Sequence, residues 1–334
     1  MSGKILIVGG YLILDSAYSG IVLQTNTRIK CHLEKANDIE LQTKFGLYPE
    51  SPNKFINACI QTCKAYLQSV DIKFIHFKGT VEADERFYIN NKLGLGSSSA
   101  LCTALVSSML VLHGITDSTL LFKIASLSHF KAQGNIGSGF DIAASVYGHC
   151  IYKKPLLLED ITMDQLQDIG QLINQEWFIQ IKKISWPKEW KILMFTHSNG
   201  QDTPSSSKKY LEWRSNSINS GCLSILDKIH WTIQSISQAI DTSDPISLKV
   251  HFTNLLKDYR ELGELCGINI VPESCFQFFT SIFKLPSCIG GMCPGAGGDD
   301  AIFVVCLQHE AIVNVATQYN FDWVNINIPI DNKQ

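Results

Sequence analysis

Three glycine-rich segments lie far apart in the chain, and each carries residue types that could bind phosphate. They are Leu93-Gly-Leu-Gly-Ser-Ser-Ser-Ala100, Ile136-Gly-Ser-Gly-Phe-Asp141 and Pro294-Gly-Ala-Gly-Gly-Asp-Asp300. Because glycine lacks a Cβ, successive backbone N–H groups in such a segment can converge on one point. The first segment also runs into a helical pattern over residues 100–113, and a helix N-terminus attracts anions. The sequence therefore predicts a phosphate-binding loop at the start of this helix.

The predicted phosphate loop differs from two common nucleotide-binding motifs. It lacks the Gly-Lys-Ser/Thr ending of a Walker A loop, and residues 86–92 before it are too polar for the buried strand of a Rossmann fingerprint. Ser97, Ser98 or Ser99 could donate hydrogen bonds to phosphates or bind Mg²⁺ through a hydroxyl oxygen. A plain helix start with a serine cap would have the same sequence, so the segment alone leaves both interpretations open.

The second glycine segment adds a carboxylate, and the third could bring the backbone close to a ligand. Asp141 stands at the start of the next predicted helix, where it could cap the helix or serve as base or orienter in phosphoryl transfer. The third segment precedes a buried strand, so its small residues could form either a tight turn or a backbone surface close to a ligand. Lys4, beside the Gly9-Gly10 turn, is a candidate cation, although most lysines are simply solvated.

Composition narrows the class of protein. The 334 residues are 45% hydrophobic and 18% charged, with a net charge of −3, as expected for one large or two medium globular domains. This charge argues against a nucleic-acid partner. The 11 cysteines, an odd number without a recognisable signal peptide, predict reduced thiols and a cytoplasmic location. The longest apolar helical run, residues 104–112, is too short to cross a bilayer, so no membrane partner is expected.

Strand and helix patterns are interspersed without a regular βαβ alternation, which favours an α+β fold over a doubly wound sheet. Strands are predicted at residues 4–8, 11–15, 20–30, 72–78, 150–152, 177–183, 190–196, 301–306 and 323–328. Helices are predicted at residues 53–67, 98–113, 118–133, 140–146, 205–239 (one or two helices), 245–266, 272–283 and 309–319. Residues 155–175 are predicted to be irregular, and a domain boundary is expected between residues 150 and 190.

Taken together and in this order, the three segments resemble the motifs of the GHMP small-molecule kinases, which include galacto-, homoserine, mevalonate and phosphomevalonate kinases. Gly3-Lys-Ile-Leu-Ile-Val-Gly-Gly-Tyr-Leu-Ile-Leu-Asp15 is similar to the first motif of the phosphomevalonate branch, where Gly-Gly-Tyr replaces Gly-Glu-Tyr. The most discriminating segment, residues 132–148, is similar to that branch over its whole length. Asp202-Thr-Pro-Ser205 and the third glycine segment also match it, so the resemblance covers residues 3 to about 306.

The resemblance implies a two-domain α+β fold. Residues 1–175 would form an ATP-binding domain of the ribosomal protein S5 domain 2 type, and residues 176–334 a ferredoxin-like domain. It further implies transfer of the γ-phosphoryl group of ATP to 5-phosphomevalonate, giving 5-diphosphomevalonate and ADP in the mevalonate route to isoprenoids. ATP and Mg²⁺ would be the cofactors, and the protein would be a monomer or homodimer. A mevalonate kinase and a non-catalytic ligand-binding protein on the same fold remain the alternatives.

Site residues are carried over by resemblance. Lys4 and Asp141 would be catalytic, and Ser98 would lie near Mg²⁺. The helix before the second motif holds His129 where mevalonate kinases have a metal-binding glutamate, so no further metal ligand is assigned. The residues expected to bind ATP are Lys92, Gly94, Leu95, Gly96, Ser97, Ser98, Ser99 and Ala100. The residues expected to bind the acceptor are Tyr11, Ser138, Gly139, Ser205, Ser206, Gly295, Ala296 and Gly297.

Overall fold

The computed structural model describes residues 1–88, 93–196, 203–217, 224–298 and 301–329. The strands are β1 (Ser2–Val8), β2 (Ser19–Lys35), β3 (Glu40–Thr43), β4 (Gly46–Tyr48), β5 (Phe77–Ala83), β6 (Cys150–Lys153), β7 (Gln180–Lys183), β8 (Lys191–Thr196), β9 (Cys288–Met292), β10 (Ala301–Cys306) and β11 (Asp322–Val324). The helices are α1 (Lys54–Ser69), α2 (Ser97–Leu112), α3 (Ser118–Gln133), α4 (Phe140–Tyr147), α5 (Leu157–Asp160), α6 (Ile169–Asn174), α7 (Thr203–Ser217), α8 (Ser224–Asp241), α9 (Pro245–Cys266), α10 (Glu273–Ile282) and α11 (Glu310–Gln318). Short 3₁₀ helices span Gly10–Leu14, Glu85–Tyr88 and Asp164–Gln167.

The first sheet is organised around the long strand β2. This strand pairs antiparallel with β1, β5 and β6, while β3 and β4 extend the sheet on one side and β7 on the other. Helix α2 is apolar around most of its circumference, as expected of a helix enclosed by other elements. It packs against α1, α3, α4 and β2, and so its N-terminus is held in a fixed place on the sheet.

The second sheet has the strand order β11-β8-β10-β9, and every neighbouring pair is antiparallel. Numbered along the chain, this order is 4-1-3-2, with helices between the first and second strands and between the third and fourth. That is the ferredoxin-like arrangement. The central strand β10 is buried along its whole length, and the phenyl rings of Phe252 and Phe303 meet beside it with centroids 5.9 Å apart.

Strand β1 contributes to both hydrophobic cores. Ile5 and Ile7 pack into the core of the second sheet, whereas Leu6, which points the other way, packs into the core of the first. This alternation follows from the two-residue repeat of a strand, which directs successive side chains to opposite faces. The residues at either end of β1 are therefore positioned by both halves of the molecule.

Most of the predicted elements are confirmed, but residues 11–15 do not form a strand. They lie in the 3₁₀ helix Gly10–Leu14, which follows Gly9 at φ 117° and itself begins with Gly10 at φ 31°. Left-handed glycine conformations turn the chain sharply, and periodicity alone does not reveal them. The short helix places Tyr11 and Leu12 in one core and Ile13 in the other.

Other boundaries also differ from the sequence pattern. The strand expected at residues 72–78 begins only at Phe77, the last strand ends at Val324, and residues 155–175 contain three short helices instead of irregular chain. The strands β3, β4 and β9 were not predicted. Strand β9 includes Gly290, whose Cα faces the Phe252 ring so closely that a Cβ would lie 2.4 Å from it. Glycine has a low strand propensity, so a strand in which glycine makes room for a neighbouring ring is not predicted from propensity.

The boundary at residue 175 remains a prediction. Strand β7 lies beyond it in sequence, yet pairs with β6 in the first sheet. The ten cysteines of the described ranges are all free, in keeping with the expected reduced thiols. No helix within those ranges is both long and apolar enough to span a membrane.

Helix α1 offers a test of the local structure. The Asn53 side-chain oxygen accepts hydrogen bonds from the backbone N–H groups of Phe55 at 2.9 Å and Ile56 at 3.3 Å. Asn53→Ala removes this cap and is expected to lower the free energy of unfolding by about 1 kcal/mol. Asn53→Asp keeps the acceptor and is the control. Urea denaturation of both variants measures the difference, and equal stability would contradict the capping role.

Candidate active site

A cleft of about 240 Å³ lies where β1, the first glycine segment and the third glycine segment meet. Its walls come from both sheets, as the position of β1 requires. The residues lining it are Lys4, Ile5, Leu6, Gly10, Tyr11, Ile13, Leu14, Leu93, Gly94, Phe140, Ser207, Pro294, Gly295, Ala296, Gly297 and Ala301.

The first glycine segment forms a loop that ends at the N-terminus of α2. Gly94 and Gly96 have φ angles of 65° and 72°, the left-handed region that favours glycine, and Gly96 is the N-cap of the helix. The backbone N–H of Lys4 donates to the Leu95 carbonyl oxygen at 2.9 Å and ties the loop to β1. The free N–H groups of the first helical turn and the helix dipole give this end of α2 affinity for anions.

The Lys4 side chain lies along this loop. Its Nζ donates to the Gly94 carbonyl oxygen at 2.8 Å and sits 4.6 Å from the centroid of the Phe140 ring, which begins α4. Burial lowers the pKa of Lys4, and the negative charge of Asp141 opposes that shift. The lysine therefore joins β1, the glycine loop and the N-terminus of α4 at a single point.

The capping interpretation of Asp141 is wrong for the described structure. The N-cap of α4 is Gly139, at φ 82°, and Asp141 stands in the first turn with its carboxylate accepting a hydrogen bond from the Ile142 N–H at 3.0 Å. Burial lowers the pKa values of Lys4 and His129, and the negative charge of Asp141 opposes both shifts. The carboxylate therefore lies close enough to interact electrostatically with both side chains. The carboxylate is thus part of the charge network around the loop.

Ser98 and His129 form a contact that the sequence did not reveal. The Ser98 hydroxyl and His129 Nε2 are 3.0 Å apart, and the imidazole is only 3% exposed. Burial and the Lys4 charge lower the pKa of His129, while Asp141 raises it. His129 Nδ1 is buried and has no hydrogen-bond partner. By resemblance, His129 stands where mevalonate kinases have a metal-binding glutamate, but helix spacing does not show what its side chain contacts.

The third glycine segment approaches the cleft from the second sheet. Gly297, at φ 76°, passes so close to Ile270 that a Cβ would lie 2.2 Å from its carbonyl oxygen. The Tyr11 hydroxyl donates to the Ala296 carbonyl oxygen at 2.7 Å, and Ser206 lies close enough to lower the pKa of the phenol. Burial raises the pKa of Tyr11 to about 12, so the phenol stays protonated and can donate.

The remaining predicted site residues vary in their access to the cleft. Ser99 and Ala100 are fully buried, and the Ser99 hydroxyl donates to the Gly96 carbonyl oxygen at 2.7 Å. Ser138 is also buried, and its carbonyl oxygen accepts from the Tyr152 hydroxyl. Ser205 is exposed, whereas its neighbour Ser207 lines the cleft. Lys92 and Asp202 lie outside the described residues.

Among the described residues, the Ser98 side chain is the candidate protein ligand for a metal ion at this site. Within the described ranges, no group of three or more His, Cys, Asp or Glu side chains is arranged to hold an ion. Mg²⁺ commonly takes only one or two protein oxygens and completes its shell with water and substrate phosphates. The half-buried Ser98 hydroxyl, at the start of α2, fits that pattern for an ion that arrives with a nucleotide.

Comparison with known proteins shows which family and which proteins this chain is similar to. Residues 54–149 match the family GHMP kinases N terminal domain. A protein of Candida albicans named phosphomevalonate kinase is 24% identical, over 97% of this chain and 94% of its own. The chain therefore carries a GHMP kinase N-terminal domain.

Two further relatives extend this result. The phosphomevalonate kinase of Saccharolobus solfataricus is 26% identical to this chain, over 91% of this chain and 88% of its own. The structure of Streptococcus pneumoniae phosphomevalonate kinase in complex with phosphomevalonate and AMPPNP superposes with a TM-score of 0.82 at 17% identity, covering 98% of each chain. The protein thus has the expected α+β GHMP kinase fold, with its ferredoxin-like second half.

The charge network predicts how His129 titrates in the nucleotide-free, metal-free kinase. Its pKa should lie below the ordinary value of 6.5 because burial disfavours the charged imidazolium. Asp141→Asn should lower it further by removing a negative charge, and Lys4→Met should raise it by removing a positive one. NMR titration of the imidazole measures all three values. Asp117→Asn, at the exposed start of α3, is the control, and the reverse order of shifts would contradict this arrangement.

Proposed function

We propose that this GHMP kinase is a phosphomevalonate kinase. It transfers the γ-phosphoryl group of ATP to 5-phosphomevalonate and releases 5-diphosphomevalonate and ADP. The observation that carries the proposal is the position of Lys4, whose Nζ contacts the glycine loop while facing the N-terminus of α4 in a cleft shared by both sheets. The relatives named as phosphomevalonate kinases support the choice of acceptor.

The cleft suits two phosphate groups despite the negative charge of the whole protein, which is −3. The N-termini of α2 and α4 both end beside Lys4, so two helix dipoles and one ammonium group act on the same small volume. In our proposal, the backbone of residues 94–100 holds the phosphates of ATP. The third glycine segment and the start of α7 hold the acceptor on the opposite wall.

The chemistry needs positioning more than a strong base. A phosphate monoester has its second pKa near ~6, so the acceptor is largely a dianion at neutral pH and is already nucleophilic. The main barrier is to bring two anions together in line, which local positive charge and fixed N–H donors make possible. Lys4 neutralises charge between the two groups, and Asp141 orients the acceptor or accepts the proton of its residual monoanion.

The cofactor proposal follows from the same geometry. Mg²⁺, when bound with ATP, neutralises charge on the transferred phosphates. Ser98 would supply the protein oxygen. His129, neutral at physiological pH because its pKa is lowered, adds no competing positive charge next to it. The further ATP contacts expected of Lys92, Ser97 and Ser99, and the acceptor contacts of the predicted substrate residues, belong to this proposal. So does a cytoplasmic location.

The decisive assay measures ADP release, coupled to NADH oxidation, with MgATP and either 5-phosphomevalonate or mevalonate. Turnover with the phosphorylated acceptor alone is expected. Turnover with mevalonate alone would make the protein a mevalonate kinase. Inactivity with both, together with thermal stabilisation by MgATP, would indicate a ligand-binding protein on the same fold.

Asp141→Asn tests the carboxylate. The variant should lower kcat by about 10²-fold, the low end of the range for a positioned acid or base, because the acceptor is already ionised. The KM for ATP should change little, since the glycine loop is intact. Steady-state kinetics at saturating acceptor measure both constants, with Asp117→Asn as a control that carries the same chemical change on the exposed surface. An unchanged kcat would remove Asp141 from the mechanism.

A further inference from the structure

Helix α7 borders the cleft through Ser207, and among its described side chains only Tyr210 and the half-buried Trp213 pack against the second core. Among its side chains from residue 205 onward, which the structure describes, only Ser206, Tyr210 and Ser217 are buried. Leu211 is exposed, and Lys208 pairs with Glu212 on the solvent side. A helix that is polar around most of its surface needs specific contacts to fix its position.

Those contacts lie on a single stripe of the helix. Ser206, Tyr210 and Arg214 are four residues apart and so face the same way. Each meets a residue of the turn that follows β1. Ser206 lies close enough to the Tyr11 hydroxyl to lower its pKa, the centroids of the Tyr210 and Tyr11 rings are 5.3 Å apart, and an Arg214 Nη forms an ion pair with Asp15. Helix α7 therefore contacts the turn after β1 through three residues on one face, one in each successive helical turn.

The ion pair at the far end of the stripe is well shielded. The Asp15 side chain is 10% exposed and that of Arg214 is 25% exposed. The other Asp15 carboxylate oxygen accepts from the Ala17 N–H at 2.8 Å, which holds the carboxylate in place. Removing one partner of a shielded pair leaves the other charge poorly solvated, so the pair opposes any slide of the helix along the turn.

The same stripe connects to the third glycine segment. The Tyr11 hydroxyl, which lies beside Ser206, donates to the Ala296 carbonyl oxygen at 2.7 Å. Ser207 and Ala296 both line the cleft, which Gly94 of the phosphate loop lines as well. A shift of α7 would therefore move the wall of the cleft that faces the acceptor and leave the loop at α2 in place.

We propose that Arg214 and Asp15 are positioning residues for the acceptor, because their ion pair sets the register of α7 against the turn after β1. This inference rests on the proposed function, in that it assigns the α7 wall to the acceptor and not to ATP. It predicts that loss of the pair weakens acceptor binding selectively.

The test compares Arg214→Gln with wild type in the coupled assay and in hydrogen exchange. The KM for 5-phosphomevalonate should rise by about tenfold, the order expected when a binding group is misplaced by a fraction of an ångström. The KM for ATP should stay within about twofold. Amide exchange should accelerate in α7 but not in α2. Glu212→Gln, which breaks an exposed ion pair on the same helix, is the matched control and should change none of these values.

Two further variants keep the test decisive. Asp15→Asn should reproduce the effect of Arg214→Gln, and the double variant should be no worse than either single one, because both remove one interaction. If Arg214→Gln does not fold, Arg214→Lys keeps the charge without the planar fork and should raise the same KM to a smaller extent.

Equal increases in both KM values, or a loss of stability with both KM values unchanged, would overturn the inference. The proposed function is judged separately, by turnover of the wild-type enzyme with 5-phosphomevalonate. Inactive wild type would refute that function. An active wild type with an Arg214→Gln variant that binds the acceptor normally would refute only the positioning role.

Discussion

The structure depends on the attachment of the glycine loop to β1. The backbone N–H and the Nζ of Lys4 both donate to carbonyl oxygens of the loop, at Leu95 and Gly94. Because β1 packs into both hydrophobic cores, these two hydrogen bonds fix the loop relative to each half of the molecule. Gly96 makes the contact possible, since a Cβ there would lie 3.0 Å from the Lys4 side chain.

This arrangement concentrates positive potential without a basic protein. Two helix N-termini and one ammonium group converge in a chain of net charge −3. Asp141 stands close enough to influence the pKa values of Lys4 and His129, so the site contains charges of both signs. Such a mixture suits a reaction in which two anions must be held together and the product, which is also an anion, must leave.

The two walls of the cleft are built differently. The α2 wall is a helix enclosed by other helices, so its position follows from apolar packing. The α7 wall is a largely polar helix held by a ring contact, an ion pair and the packing of the half-buried Trp213. Apolar packing gives a rigid base for the loop that we propose holds the nucleotide. Polar contacts confined to one stripe make the position of the proposed acceptor wall sensitive to a few residues.

The sequence by itself determined most of the helices, the three glycine segments and, through their order, the family resemblance, because helical periodicity and glycine motifs are local signals. It did not determine the 3₁₀ helix Gly10–Leu14, since the conformation of Gly9 and Gly10 depends on how closely β2 and α9 approach them. Nor did it show that Ser98 faces His129, or that Arg214 faces Asp15. These pairs are 31 and 199 residues apart in sequence, and only tertiary packing brings them together.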